Sequence, residues 1–197
     1  MSYLNVLAVY QLANTADVVQ GTAWYRDANI IASRLARRYE ISERQAIGVI
    51  AALSPRNKWE RNVADAENLI RVFTSDPESV DSVKVCTFGR NKAKAIEILQ
   101  LSEPVRDEQV LGILSGPKLQ EFYGCIIGVH DEVCIDGHAY SIWAGDRITL
   151  AKVPNIGIKL RKKIKADYCS AAQEADVTPA QMQAITWCAW RRIHGVN

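Results

Sequence analysis

Lys118 and Asp136 are the residues whose setting could support chemistry: an amine and a carboxylate 18 positions apart. Lys118 follows Leu114-Ser115-Gly116-Pro117. That string reads as a helix stopping at a glycine, a tight turn, and a new helix with proline in its first turn. Free N–H groups at such a helix start suit phosphate, which makes Gly116 and Pro117 a candidate backbone grip. A lysine gains nothing from the helix dipole at that end, and locally it reads as a solvent-facing charge. Asp136 follows the apolar run Val133-Cys134-Ile135, and locally it reads as an N-cap. A neutral lysine amine is a nucleophile that can form a Schiff base with a carbonyl-level carbon. A carboxylate can stabilise positive charge that builds nearby during a reaction. Attack requires the amine to shed its proton, through burial or a positive neighbour.

Further candidates surround these. Arg56, Asn57, Lys58 and Trp59 cluster where Pro55 interrupts a helix. The first three are candidate DNA contacts; Trp59 reads equally as a base-pocket wall or a core residue. His138 and Tyr140 flank Asp136 as further pocket candidates, with local hydrogen bonding the plainer role for His138. Residues 147–165 hold Arg147, Lys152, Lys159, Arg161, Lys162, Lys163 and Lys165 and no acidic residue. Such a run is either a solvated face or a phosphate-binding surface, with Lys159, Lys162 and Lys163 as the contacts. Trp187 and Trp190 read as packing residues.

Positioning these groups requires helices. Apolar residues recur at helical spacing from Thr22 to Glu40, through Ala28, Ile31, Leu35 and Tyr39. Ser42 and Gln45 form a capping-box pattern opening a helix to Leu53. Further helices are expected over 58–73, 91–101, 107–114, 117–127, after Asp136, and over 158–175. Asp76-Pro77 reads as a loop and Val133–Ile135 as a brief extended stretch. Thr178-Pro179-Ala180-Gln181 opens a last helix that ends at Gly195. The fold class expected is all-α, with about ten helices.

Composition narrows the classes. The chain has 197 residues, nearly half of them hydrophobic, and a net charge of +2, which neither demands nor excludes a polyanionic partner. Its five cysteines never fall in a C-x-x-C spacing, so they read as buried thiols in a reducing cytoplasm. The first ten residues are mildly apolar without a basic leader, and no run is long enough to span a bilayer. A cytoplasmic, monomeric protein without membrane contact is expected.

Four ordered blocks over about residues 45–145 resemble the helix-hairpin-helix DNA glycosylases of the endonuclease III type. Leu53-Ser54-Pro55-Arg56-Asn57 resembles that family's Leu-Ser-x-Gln segment. Gly89-Arg90-Asn91-Lys92-Ala93 resembles the segment ahead of its hairpin. Gly116-Pro117-Lys118 resembles the hairpin's end, and Ile135-Asp136-Gly137-His138 resembles the segment carrying the essential aspartate. The 18-residue separation is that of endonuclease III-like members. The hairpin is two residues shorter than the family's and lacks its second glycine.

The resemblance implies one glycosylase-like domain over 1–197. One lobe, about 42–130, holds the hairpin; the N- and C-terminal helices form the other. It implies DNA as partner, base flipping, and Lys118 and Asp136 as catalytic residues. The family's four-cysteine cluster is missing, so no iron–sulfur cofactor is expected; the shortened turn leaves a hairpin-bound monovalent cation open. Three functions fit: a glycosylase, with or without lyase activity; a phage-type divergent relative that transfers groups onto an activated thymine in DNA hypermodification; and a non-catalytic DNA-binding module.

Overall fold

A computed structural model describes residues 2–195. Among them the chain is all-helical and contains no strand. In order come α1 (Ser2–Gln11), α2 (Thr15–Tyr39), α3 (Glu43–Leu53), α4 (Trp59–Ser75), α5 (Gly89–Leu99), α6 (Asp107–Leu114), α7 (Pro117–Ile127), α8 (Gly137–Ala144), α9 (Ile158–Glu174) and α10 (Pro179–His194), with short 3-10 turns over Pro77–Ser82 and Leu150–Lys152. The chain divides into two compact units, one of Met1–Asp27 with Gly128–Asn197, the other of Ala28–Ile127.

In the Ala28–Ile127 unit, α3 is the centre. It is buried from Gln45 through Leu53, and α4, α5, α6 and α7 all pack on it. Ser42 and Gln45 close the capping box at its start. Gln45 also donates from Nε2 to the carbonyls of Ile98, Leu99 and Leu101, so one buried amide caps α3 and holds the end of α5. The small residues Ala46, Gly48, Ala51 and Ala52 let neighbours approach closely. A Cβ on Gly48 would lie 2.8 Å from Val110 Cγ1.

In the other unit, α1, α8, α9 and α10 enclose a core that includes Val6, Leu7, Ile135, Ile142, Ile164, Tyr168 and Met182. The stretch that read as a mildly apolar N-terminus is α1, with Val6, Leu7 and Val9 buried. α2 begins at Thr15, before the Thr22 that periodicity suggests. Asn14 and Asp17 cap each other's backbone: Asp17 N–H donates to Asn14 Oδ1 (2.9 Å), and Asn14 N–H donates to Asp17 Oδ2 (3.0 Å). Gly21 hides this extension from a propensity reading, and packing supplies its reason. A Cβ there would sit 2.5 Å from both the Cα and the backbone nitrogen of Ile185 on α10.

Two expectations change locally. Val133–Ile135 is buried but forms no strand, having no partner strand among the described residues. Asp76-Pro77 opens a 3-10 turn, with proline at its first position, instead of a plain loop.

Gly21→Ala should destabilise the protein by about 2 kcal/mol or more, because backbone cannot yield to an added methyl. Gly112→Ala, with nothing within 4 Å of its Cβ inside α6, should instead stabilise by about 0.5–1 kcal/mol. Urea melts of both variants check the contrast. Burial pushes the Asp17 carboxyl up, but hydrogen bonds from Arg192 and the Asn14 backbone bring it below its ordinary value. A depressed carboxyl contributes stability that is complete above about pH 4 and lost as pH falls through its folded value. Asp17→Asn should therefore flatten the fall in Tm as pH drops below about 4.

Candidate functional site

The hairpin lies in the Ala28–Ile127 unit. α6 ends at Leu114, and Ser115 turns the chain at φ 44°, a left-handed conformation where glycine is the usual occupant. Gly116 follows, and Pro117 starts α7. Two side chains brace this turn. Lys94 Nζ, from α5, donates to the Leu114 carbonyl at 2.7 Å, placing a cation on the negative end of α6. Gln120 Nε2 reaches back from α7 to the Leu111 carbonyl (2.9 Å). Lys118, the second residue of α7, is exposed.

In the same unit, the α3–α4 connection carries Arg56, Asn57, Lys58 and Trp59. Its first task is structural. The end of a buried helix leaves carbonyls that water cannot reach, and this loop covers them. Ser54 Oγ donates to Ala51 O, Asn57 Nδ2 to Leu53 O, and Asn62 Nδ2 to Ile50 O. Asn57 thus spends its amide inside the fold, also donating to Asp65 Oδ2 (3.2 Å). Asp65 is buried and accepts from Arg61 Nε (2.8 Å) and the Cys86 backbone N–H (2.7 Å) as well. Thr87 Oγ1 adds a bond to the Pro55 carbonyl. Asp65 and Thr87 therefore tie the loop to the segment entering α5.

That tie creates a surface not foreseen from sequence. Arg56, in a left-handed conformation (φ 56°), points its guanidinium at the Phe88 ring, 5.1 Å from the centroid, and Arg90 does so at 5.2 Å. Phe88 is 40 % exposed. Gly89-Arg90-Asn91 belongs to a block quoted above, but Phe88 itself carries no sequence signal, since a lone aromatic usually reads as core. Lys58 is exposed alongside Arg56 in the loop, and Trp59 is half-buried at the start of α4.

Asp136 lies in the other unit. It is the N-cap of α8, with Oδ1 accepting from the Ala139 N–H at 2.8 Å. The preceding Val133, Cys134 and Ile135 are buried, while Asp136 and His138 are half-exposed. Tyr168, fully buried beneath, donates its hydroxyl to the Ala139 carbonyl (3.2 Å). Burial first, then the Asp136 charge, drives the Tyr168 hydroxyl far above its ordinary value, so it stays a donor. Tyr140 stacks obliquely on Trp143, 5.8 Å between centroids, and is half-buried. On α9, Lys159, Lys162 and Lys163 are exposed, and Lys163 lies 5.6 Å from the Trp143 ring. Lys165 pairs with Glu132 (2.9 Å), so it belongs to the fold. Arg147 donates to the His194 carbonyl. Trp190 is buried against the His194 ring, as a packing residue would be.

A shallow polar depression of the Ala28–Ile127 unit is lined by Asn29, Glu43, Arg44, Ile47, Asp107 and Ile127. There Tyr123 donates to Asp107 Oδ1 (2.7 Å), which also pairs with Arg44 Nε (2.8 Å). Among the described residues no group of three or more His, Cys, Asp or Glu could hold a metal ion. Cys125, Cys134 and Cys188 are buried, as composition suggests; Cys169 is half-exposed, and Cys86 is exposed with its backbone N–H donating to Asp65. No helix among the described residues is long and apolar enough to cross a membrane.

A family model matches residues 2–194; it describes a family of unknown function, DUF7178. Comparison with curated proteins finds no match, and comparison with solved structures finds none.

Asp65→Ala would leave the Asn57 amide and the Cys86 N–H without their shared acceptor. It should lower unfolding stability by about 3 kcal/mol. It should also loosen the Arg56–Phe88 surface, read as faster hydrogen exchange over residues 54–58 and 84–88.

Proposed function

We propose that this chain, a member of the DUF7178 family of unknown function, is a DNA glycosylase acting on a damaged or modified base turned out of the duplex. The observation that carries the proposal is the placement of Asp136. A buried apolar segment delivers its carboxylate, half-exposed, to the first turn of α8, and only Oδ1 is committed to the cap. The braced turn between α6 and α7, with exposed Lys118 just beyond it, supports a contact with the DNA backbone. So does the Arg56–Phe88–Arg90 cluster, whose exposed ring and guanidinium groups suit stacking bases and phosphates.

The chemistry follows from the residue types. As the bond from C1′ to the base breaks, the electron pair leaves with the base and positive charge grows on the sugar. The Asp136 carboxylate stabilises that charge. Lys118 is exposed in the free protein, so the burial that its attack requires has to come from bound DNA. The amine, once it has given up a proton, bonds to C1′, and its next proton passes to the ring oxygen as the C1′–O bond breaks to leave a Schiff base. Loss of a proton from C2′ then forms the C2′–C3′ double bond as the 3′ phosphate leaves, which cuts the strand. Gly116, Pro117, Lys58, Lys159, Lys162 and Lys163 serve the phosphates. Trp59, His138 and Tyr140 serve the turned-out base, and the reaction uses no cofactor.

Incubation with duplexes carrying modified bases, and with hypermodified phage DNA, should release free base. Asp136→Asn should slow release at least about 100-fold while leaving DNA binding nearly intact. Borohydride should trap a covalent protein–DNA adduct in the parent protein and none in Lys118→Gln. An adduct persisting in Lys118→Gln would remove the lysine from the scheme. A new nucleoside in place of free base would mean group transfer onto thymine. Salt-sensitive binding without turnover, unchanged in Asp136→Asn, would mean a non-catalytic module.

A further inference from the structure

Arg161 lies on α9, half-buried, and its guanidinium spans two distant backbone carbonyls. Nε donates to the carbonyl of Ile156 (3.2 Å), and one terminal nitrogen donates to the carbonyl of Ile135 (3.1 Å). Ile156 belongs to the turn before α9, and Ile135 is the residue immediately before Asp136. One planar cation therefore staples the peptide that carries Asp136 to the turn that opens the lysine-bearing helix.

The geometry points to Arg161 as a positioning residue for the Asp136 carboxylate, an inference that rests on the glycosylase proposal above. Three restraints meet at this short stretch. Oδ1 of Asp136 is held by the Ala139 N–H. The Ala139 carbonyl is held by the Tyr168 hydroxyl. The Ile135 carbonyl is held by Arg161. With Oδ1 pinned, the direction of the other carboxylate oxygen depends on the peptide joining Ile135 to Asp136, and Arg161 alone of the three holds that peptide. Charge-assisted bonds from a rigid fork fix orientation in a way a lysine's single ammonium point cannot. Arg161 is the one basic residue of the acid-free stretch 147–165 that binds the backbone next to Asp136; it therefore acts through the carboxylate instead of on phosphate.

The test compares two abasic duplexes and needs no knowledge of the target base. One carries a pyrrolidine ring, cationic at neutral pH, in place of the sugar; the other carries neutral tetrahydrofuran. A carboxylate placed for the sugar cation binds the first more tightly, and the parent protein should prefer it at least about 10-fold. Asp136→Asn should lose the preference. Arg161→Met should bring it to within about 2-fold of equality, and Arg161→Lys should fall between. A merely structural arginine would weaken both duplexes alike and leave their ratio unchanged. An unchanged ratio in Arg161→Met overturns the assignment; if that variant does not fold, an unchanged ratio in Arg161→Lys does so. Absence of any preference in the parent, or its survival in Asp136→Asn, overturns the carboxylate's role as well. Loss in Asp136→Asn with retention in Arg161→Met overturns only the role of Arg161.

Discussion

Burial of α3 from Gln45 to Leu53 constrains everything around it in the Ala28–Ile127 unit. A helix enclosed over that length cannot send its end carbonyls to water, so neighbouring segments must supply partners. At the start Gln45 does this, and by reaching three carbonyls at the end of α5 it locks two helix ends with one side chain. At the far end the partners come from Ser54, Asn57 and Asn62. The loop bearing Arg56 and Lys58 is therefore not free to wander. Its conformation is the solution to a hydrogen-bonding problem set by the core, and the Asp65 carboxylate extends that solution to the segment bearing Phe88. A basic and aromatic surface results from interior accounting.

Asp136 shows a different compromise. A cap needs one carboxylate oxygen at the helix start, which leaves the other uncommitted. The cap here uses only Oδ1. Support comes from the backbone on either side, through Tyr168 on one flank and Arg161 on the other, and the side chain itself stays half-exposed. Placing the rigidity in the main chain leaves the carboxylate available.

Much of the scaffold was legible in the sequence because its signals were local. The Ser42–Gln45 and Thr178–Gln181 boxes, Pro117 at a helix start and Gly195 at a helix end each state a boundary within four residues, and each boundary stands. What stayed hidden was non-local. Gly21 looks like a helix breaker until Ile185 is seen against it. α1 reads only as a mildly apolar stretch until it joins a core made by residues more than a hundred positions away. Among site residues, the N-cap role of Asp136 was readable from its own neighbourhood. Phe88 was not, because its place beside Arg56 depends on the bonds that Asp65 and Thr87 make between two segments distant in sequence. Asn57 was read as a DNA contact from its company of basic residues, yet its amide closes the end of α3. Arg161 was read only as one charge in a basic run, since nothing in the sequence distinguishes a guanidinium that binds backbone from one that faces water.

The unit that holds Asp136 is discontinuous along the chain, assembled from Met1–Asp27 and Gly128–Asn197. Its core joins Val6 and Leu7 to Met182 and Trp190. On the ribosome, α1 must wait for α8, α9 and α10 before its partners exist, whereas the Ala28–Ile127 unit lies within one uninterrupted stretch. Order of synthesis therefore gives the hairpin a head start, and the aspartate gains its final surroundings last. A product ending before α10 would carry a finished turn between α6 and α7 beside an open core, without Met182, Ala189 and Trp190 to close it.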